Sequence, residues 1–155
     1  MKSLKILLAE DITINQEFLC HFLSEQGHKV VPVHNGKQAL SALETEDFDL
    51  VLMDVQMPEM DGIEATKHIR EAKNKKINPN IKVFCVGDDW QAINGFAGSD
   101  LKYFNDFRHY FPNGRIMSIT KNYRSSCNIV ELGNQIMEGE GVPSKETNNF
   151  IGNIK

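Results

Sequence analysis

The chain has 155 residues, of which 41% are hydrophobic and 25% charged, and its formal net charge is -4 at pH 7. This length and apolar content predict one domain with its own core and leave no room for a second full domain. The negative balance argues against general binding to nucleic-acid phosphates, which requires clustered Lys and Arg.

The cysteines and the N-terminal residues indicate the cellular compartment of the protein. Cys20, Cys85 and Cys127 are odd in number, far apart and set among apolar residues, which is typical of reduced core residues in a cytosolic protein. The apolar run 6–9 is followed at once by Glu10 and Asp11, so it is too short for a signal peptide or a membrane span. We therefore expect a cytoplasmic protein with no membrane partner.

The first half of the chain alternates between short apolar strands and helices with apolar residues at helical spacing. Pro32 cannot donate a ladder hydrogen bond, which places the second strand at a sheet edge. In chain order the predicted elements are strand 5–9, helix 14–26, strand 29–33, helix 37–46, a strand over 50–53 that ends at Asp54, and helix 63–73.

A polar, basic connector at 73–80 separates this half from the next. Ser99 and Ser126 are suited to cap two further helices, and the Gly-rich and Asn-rich tail over 138–155 is expected to be flexible. The predicted elements are strand 81–86, a helix from Ser99 to about Phe111, strand 115–120, and a helix from Ser126 to Met137.

Five strands alternating with five helices predict a parallel sheet covered by helices on both faces, a three-layer α/β sandwich. With the second strand at an edge, the flavodoxin-like order 2-1-3-4-5 follows. Strands 1 and 3 are then neighbours, so Glu10, Asp11 and Asp54 meet at one end of the sheet. Three like charges repel unless a cation or a proton compensates them, and oxygen ligands of this kind suit Mg2+.

Residues 4–72 closely resemble a response-regulator receiver domain of the CheY-like type, through the pair Glu10 and Asp11, through Asp54, and through the MPEMDG run that follows. The resemblance implies that Asp54 accepts a phosphoryl group from a phosphohistidine donor. It also implies that Mg2+ is held by Glu10, Asp11, Asp54 and the backbone carbonyl of Gln56.

Two further features of receivers are altered in the second half. Receivers place a Ser or Thr at the end of strand 4, but here Val86 is followed by Gly87 and Asp88. Receivers also place a Lys at the end of strand 5, usually before Pro. Lys121 lies at about that position, where it can supply a charge that neutralises phosphate, but Asn122 follows it instead of Pro.

Residues from about 79 to 137 instead resemble a UvrD-type superfamily 1 DNA helicase, through VGDDWQAINGFAG (86–98) and NYRSS (122–126). The resemblance implies that Gln91 and Arg124 sense a nucleotide γ-phosphate and that Phe96 stacks on single-stranded DNA. The Walker A loop GxxxxGK[ST] and the acidic DExx strand of such motors are absent. We therefore expect these positions to be vestigial, with neither ATP nor nucleic acid bound.

Two hypotheses follow for the whole chain. The first is an engineered chimera, a designed scaffold joined at 74–80, with no selected function, no enzyme activity and no specific partner, in which the acidic half-site is inherited. The alternative is a natural, divergent response-regulator receiver that acts in phosphorelay signalling with a histidine kinase or a phosphotransfer protein.

Overall fold

The computed structural model describes residues 2–72, 76–87, 107–122, 125–136, 138, 139 and 143. The chain divides into two compact units, Met1–Asp88 and Asp89–Lys155. In the described part of the chain, no helix is long and apolar enough to cross a membrane. One domain with a junction at 74–80 and a flexible tail from 138 stays a prediction.

The first unit contains a four-stranded sheet in the order β2-β1-β3-β4, and every pairing in it is parallel. This confirms the flavodoxin-like fold and places the strand that contains Pro32 at an edge, as predicted. In chain order the elements are β1 (Lys5–Ala9), α1 (Thr13–Glu25), β2 (Lys29–Val33), α2 (Gly36–Thr45), β3 (Leu50–Asp54), α3 (Gly62–Glu71) and β4 (Lys82–Val86).

The core of this unit lies between the sheet and helices α2 and α3. Side chains alternate between the two faces of a strand, so every second residue of β1 and β3 points towards these helices. Burying one large apolar side chain stabilises the fold by about 1.5–3 kcal/mol. The core cluster includes Leu7, Ala9, Ala39, Leu43, Val51, Met53, Ala65 and Ile69.

Helix α1 carries apolar residues on both its inward and its outward face, and the sequence pattern did not distinguish the two faces. Leu19 and Leu23 are half-buried, whereas Phe18 and Phe22 are 67% and 50% exposed, and their stacked rings lie 6.3 Å apart. The inward face of the helix also holds a polar residue, Gln16, which is buried. The helical spacing therefore predicted the helix correctly, but the spacing alone did not show which apolar residues face the sheet.

Helices α2 and α3 each begin at a side-chain cap. Asn35 Oδ1 accepts a hydrogen bond from Gln38 N at 2.9 Å, and Asp61 Oδ1 accepts one from Glu64 N at 2.7 Å. Such caps satisfy N–H groups that have no partner inside the helix, and each stabilises a helix by about 1 kcal/mol. They fix where the two helices start, next to the carboxyl ends of the strands.

The second unit contains two described helices, α4 (Phe107–Tyr110) and α5 (Cys127–Ile136). Of the helix predicted over 99–111, residues 99–106 lie outside the described residues. Helix α5 begins directly after Ser126, where its start was predicted.

The predicted fifth strand, Arg115–Thr120, is wrong, because these described residues form no strand. Ile116 and Ile119 are 56% and 87% exposed. The apolar composition of this stretch indicates only strand propensity, whereas a strand also needs a neighbour that accepts and donates its ladder hydrogen bonds. The predicted order therefore holds for its first four strands.

Gly62 is the first residue of α3, and because it has no Cβ the helix can start in close contact with β3. A substitution at this position tests that contact. A Cβ at this position would collide with the Asp54 carbonyl oxygen and would lie 2.7 Å from Met53 Cγ. We expect Gly62→Ala to lower the free energy of unfolding by about 1–3 kcal/mol, because backbone atoms cannot move aside cheaply. Urea unfolding followed by circular dichroism measures this change.

Gly133→Ala provides the matched control, since a Cβ on Gly133 in α5 would have no atom within 4 Å. In a helix interior this change is expected to be neutral or to stabilise by up to about 1 kcal/mol. Equal losses in the two variants would contradict the close approach at Gly62.

Candidate metal centre

Three carboxylates meet at the carboxyl ends of β1 and β3. The two strands are parallel neighbours, with Ala9 opposite Met53, so the residues that follow Ala9 lie beside Asp54. One carboxylate oxygen from each of Glu10, Asp11 and Asp54 can be chosen so that all three lie within 4.8 Å of one another. The structure thus brings together the three acidic residues that the sequence predicts as metal ligands.

The environment of Asp54 disfavours its negative charge. Burial is the main cause that raises the pKa of the Asp54 carboxyl above its ordinary value, and the charges of Glu10 and Asp11 raise it further. Hydrogen bonds from the backbone N–H groups of Gln56 and Val55 lower it in part. Because the net shift is upward, a bound cation would relieve an unfavourable charge at this site.

The loop after β3 is tied to the start of α2. Glu59 adopts a left-handed backbone conformation with φ 65°, and its carboxylate accepts a hydrogen bond from Asn35 Nδ2 at 3.1 Å. Lys37 Nζ lies 3.5 Å from the same carboxylate, and Gly36 N donates to Met60 O at 3.0 Å. These contacts join the loop that follows Asp54 to a capped helix.

Gln56 lies in this loop, and its N–H donates to Asp54 Oδ1 at 3.3 Å. This hydrogen bond orients the Asp54 carboxylate. The predicted role of the Gln56 carbonyl as a metal ligand stays a prediction.

The remaining predicted site residues lie in the second half of the chain. Gln91, Phe96 and Arg124 lie outside the described residues. Lys121 is described as exposed in the second unit, and its role in neutralising phosphate stays a prediction. Val86 at the end of β4 is paired with Asp54, and the next residue, Gly87, has no hydroxyl to offer.

Asn15 and Gln16 contact the site but were missed by the sequence reasoning. Asn15 Nδ2 donates to Glu10 Oε1 at 3.1 Å, and Gln16 Nε2 donates to the Glu10 carbonyl at 3.0 Å. A sequence signal was available for Gln16, because it precedes Leu19 and Leu23 by three and seven positions and so shares their inward face. Asn15 gave no comparable signal.

Comparison with known protein families gives a match to the response regulator receiver domain over residues 6–93. Probable histidine kinase 1 of Oryza sativa subsp. indica is 46% identical over 70 residues, which are 45% of this chain and 7% of that protein. The alkaline phosphatase synthesis transcriptional regulatory protein PhoP of Bacillus subtilis is 28% identical over 137 residues, which are 88% of this chain and 56% of PhoP. The chain thus spans less than two thirds of the length of either relative.

Solved structures show the same fold. The receiver domain of sensor histidine kinase PA1611 from Pseudomonas aeruginosa PAO1, with a magnesium ion coordinated in its active site cleft, is 30% identical with a TM-score of 0.53. The similarity covers 65% of this chain and 79% of that domain. A histidine kinase receiver domain from Syntrophus aciditrophicus is 26% identical with a TM-score of 0.51, over 76% of this chain and 97% of its own.

The raised pKa of Asp54 predicts the effect of removing its charge. In the absence of divalent cations at pH 7, we expect Asp54→Asn to raise the midpoint of thermal unfolding by a few degrees, since the ionised carboxylate destabilises the folded state. Because the folded-state pKa lies above the ordinary 3.8, stability falls as pH rises from the ordinary pKa through the higher folded-state pKa. The advantage of the variant should therefore disappear below the ordinary pKa, where both states are protonated.

Asp47→Asn is the control, because Asp47 is an exposed carboxylate on the loop before β3 and its replacement should leave the midpoint unchanged. Adding Mg2+ should reduce the difference between wild type and Asp54→Asn. A lower midpoint for Asp54→Asn in cation-free buffer would contradict the electrostatic account.

Proposed function

Because this chain belongs to the response regulator receiver domain family, we propose that it accepts a phosphoryl group on Asp54 in a phosphorelay. The observation that carries this proposal is the cluster of Glu10, Asp11 and Asp54, with oxygens within 4.8 Å of one another at the carboxyl end of a parallel sheet. Ligands of open α/β sheets bind at this end of the strands.

We propose that the same three carboxylates hold Mg2+, together with the backbone carbonyl of Gln56. The donor set fits this ion, which prefers carboxylate and carbonyl oxygens and keeps several water ligands. In the PA1611 receiver domain a magnesium ion is coordinated in the active site cleft, which supports the assignment. When bound, such an ion neutralises charge on the oxygens of a phosphoryl group during transfer.

The chain's own contribution to the transfer is the Asp54 carboxylate. One of its oxygens forms a bond to phosphorus while the bond from phosphorus to the donor imidazole nitrogen breaks, which leaves the donor histidine without its phosphoryl group. Gln56 N orients the nucleophile through its hydrogen bond to Oδ1. Partial burial leaves the carboxylate less hydrated than one in bulk water, so less solvent must be removed when the donor arrives.

The partner under this proposal is a protein that presents a phosphohistidine, either a histidine kinase or a phosphotransfer protein. Similarity to part of a probable histidine kinase from Oryza sativa supports this class of partner. Neither ATP binding nor enzyme turnover is needed, because the donor supplies the phosphoryl group.

The response to phosphorylation is expected to differ from that of receivers with a complete site. Val86 and Gly87 stand where those receivers have a Ser or Thr, so no hydroxyl from this position can bind the phosphoryl oxygens. We propose that the chain retains the phosphoacceptor half of the site and has lost this part of the switch.

The hypothesis of an engineered chimera gains no support from the relatives found. The family match continues to residue 93, across the proposed junction at 74–80, and the similarity to PhoP extends over 137 residues. The helicase resemblance over 79–137 stays a proposal based on sequence alone. These findings favour the receiver over the designed scaffold.

Phosphorylation of Asp54 can be tested with a small donor. We expect the full chain to gain one phosphoryl group when it is incubated with acetyl phosphate and Mg2+, measured by intact-protein mass spectrometry. The modification should be lost with EDTA, because the three carboxylates then repel the incoming phosphate.

Asp54→Asn should remain unmodified, whereas the control Asp47→Asn, which changes an exposed carboxylate outside the site, should react like the wild type. An unmodified wild-type mass, or a modification that persists in Asp54→Asn, would refute the proposed function.

A further inference from the structure

Glu10 is the most enclosed member of the acidic cluster, with 9% of its surface exposed. Two consecutive amide side chains on the first turn of α1 hold it. Asn15 binds the carboxylate of Glu10, and Gln16 binds its backbone carbonyl. The two contacts have different consequences for the site.

Gln16 fixes the backbone of residue 10. It is buried, and its Nε2 donates to Glu10 O and to Val33 O, each at 3.0 Å. Val33 O also accepts the Glu10 N–H at 3.1 Å. Gln16 therefore ties the ends of β1 and β2 together, and removing a buried amide that serves two carbonyls would damage the fold itself.

Asn15 acts on the side chain of Glu10 instead. Its Nδ2 donates to Glu10 Oε1 at 3.1 Å, and the N–H of Ile12 donates to the same oxygen at 3.3 Å. Ile12 is the N-cap residue of α1 and makes no side-chain capping hydrogen bond, so the donor to Glu10 from this residue is its backbone N–H. Both donors converge on one carboxylate oxygen, which leaves Oε2 with lone pairs for a cation.

We propose that Asn15 is a positioning residue for the cation, because it holds Oε1 of Glu10 and so presents the other oxygen to the site. This inference rests on the proposed Mg2+ role of Glu10, Asp11 and Asp54. A carboxylate that can rotate must lose that freedom when it binds a metal, and a fixed donor removes this cost in advance.

The neutral amide suits this position on electrostatic grounds. The cluster contains three carboxylates, which together attract a divalent cation. A Lys at position 15 would neutralise part of this charge and compete with the cation, whereas an Asp would add a fourth repelling carboxylate. An amide donates a hydrogen bond and leaves the charge of the cluster unchanged.

The test is the Mg2+ affinity of the full chain, measured by isothermal titration calorimetry for wild type and Asn15→Ala. We expect the dissociation constant of the variant to rise roughly tenfold, the lower end of the effect of outer-shell partners, because water can partly replace an exposed amide. The midpoint of thermal unfolding without Mg2+ should stay unchanged, since Asn15 is exposed.

Gln26→Ala is the matched control, because it removes an exposed amide at the other end of the same helix. It should leave both the Mg2+ affinity and the midpoint as in the wild type. Weaker binding in Asn15→Ala alone, at an unchanged midpoint, is the result that supports the proposal.

Other outcomes overturn it in distinguishable ways. If wild type binds Mg2+ and Asn15→Ala binds it equally well, the positioning role is wrong while the proposed function stands. If Asn15→Ala also unfolds at a lower temperature without Mg2+, Asn15 acts through the fold rather than on the carboxylate. If wild type binds no Mg2+, the proposed function fails together with the inference.

Discussion

The burial of Asp54 beside two further carboxylates, at the joined ends of two parallel strands, is the constraint on which the site depends. Burial raises the pKa of Asp54, and the charges of Glu10 and Asp11 raise it further. The fold therefore stores an electrostatic cost that a divalent cation can relieve. The pairing of β1 with β3 brings the three carboxylates together before any metal binds, so the site would need little rearrangement to hold one.

Contacts around the site hold the three carboxylates together although their negative charges repel one another. Gln16 ties Glu10 to the end of β2, and Gly62 lets α3 approach the Asp54 carbonyl more closely than any residue with a Cβ would allow. On the other side, the contact of Glu59 with Asn35 joins the loop after Asp54 to the start of α2. These contacts connect the acidic residues and the loop after Asp54 to strands and helices of the first unit.

The sequence predicted the four parallel strands and the meeting of the acidic residues, because buried apolar runs and Pro32 determine strand order. It failed at 115–120, where propensity indicated a strand but no pairing is described. It also missed Asn15, since a hydrogen bond to Glu10 depends on how α1 leaves the end of β1. The apolar runs and the position of Pro32 indicate the strand order, whereas a side-chain contact such as that of Asn15 depends on the path of the backbone between two elements.

The most direct test of the phosphoacceptor site is a crystal structure of the chain with Mg2+ and beryllofluoride, a mimic of a phosphoryl group. We expect the mimic on a carboxylate oxygen of Asp54, and Mg2+ on oxygens of Glu10, Asp11 and Asp54 and on the carbonyl of Gln56. A mimic bound to another residue, or Mg2+ bound away from these three carboxylates, would contradict this expectation.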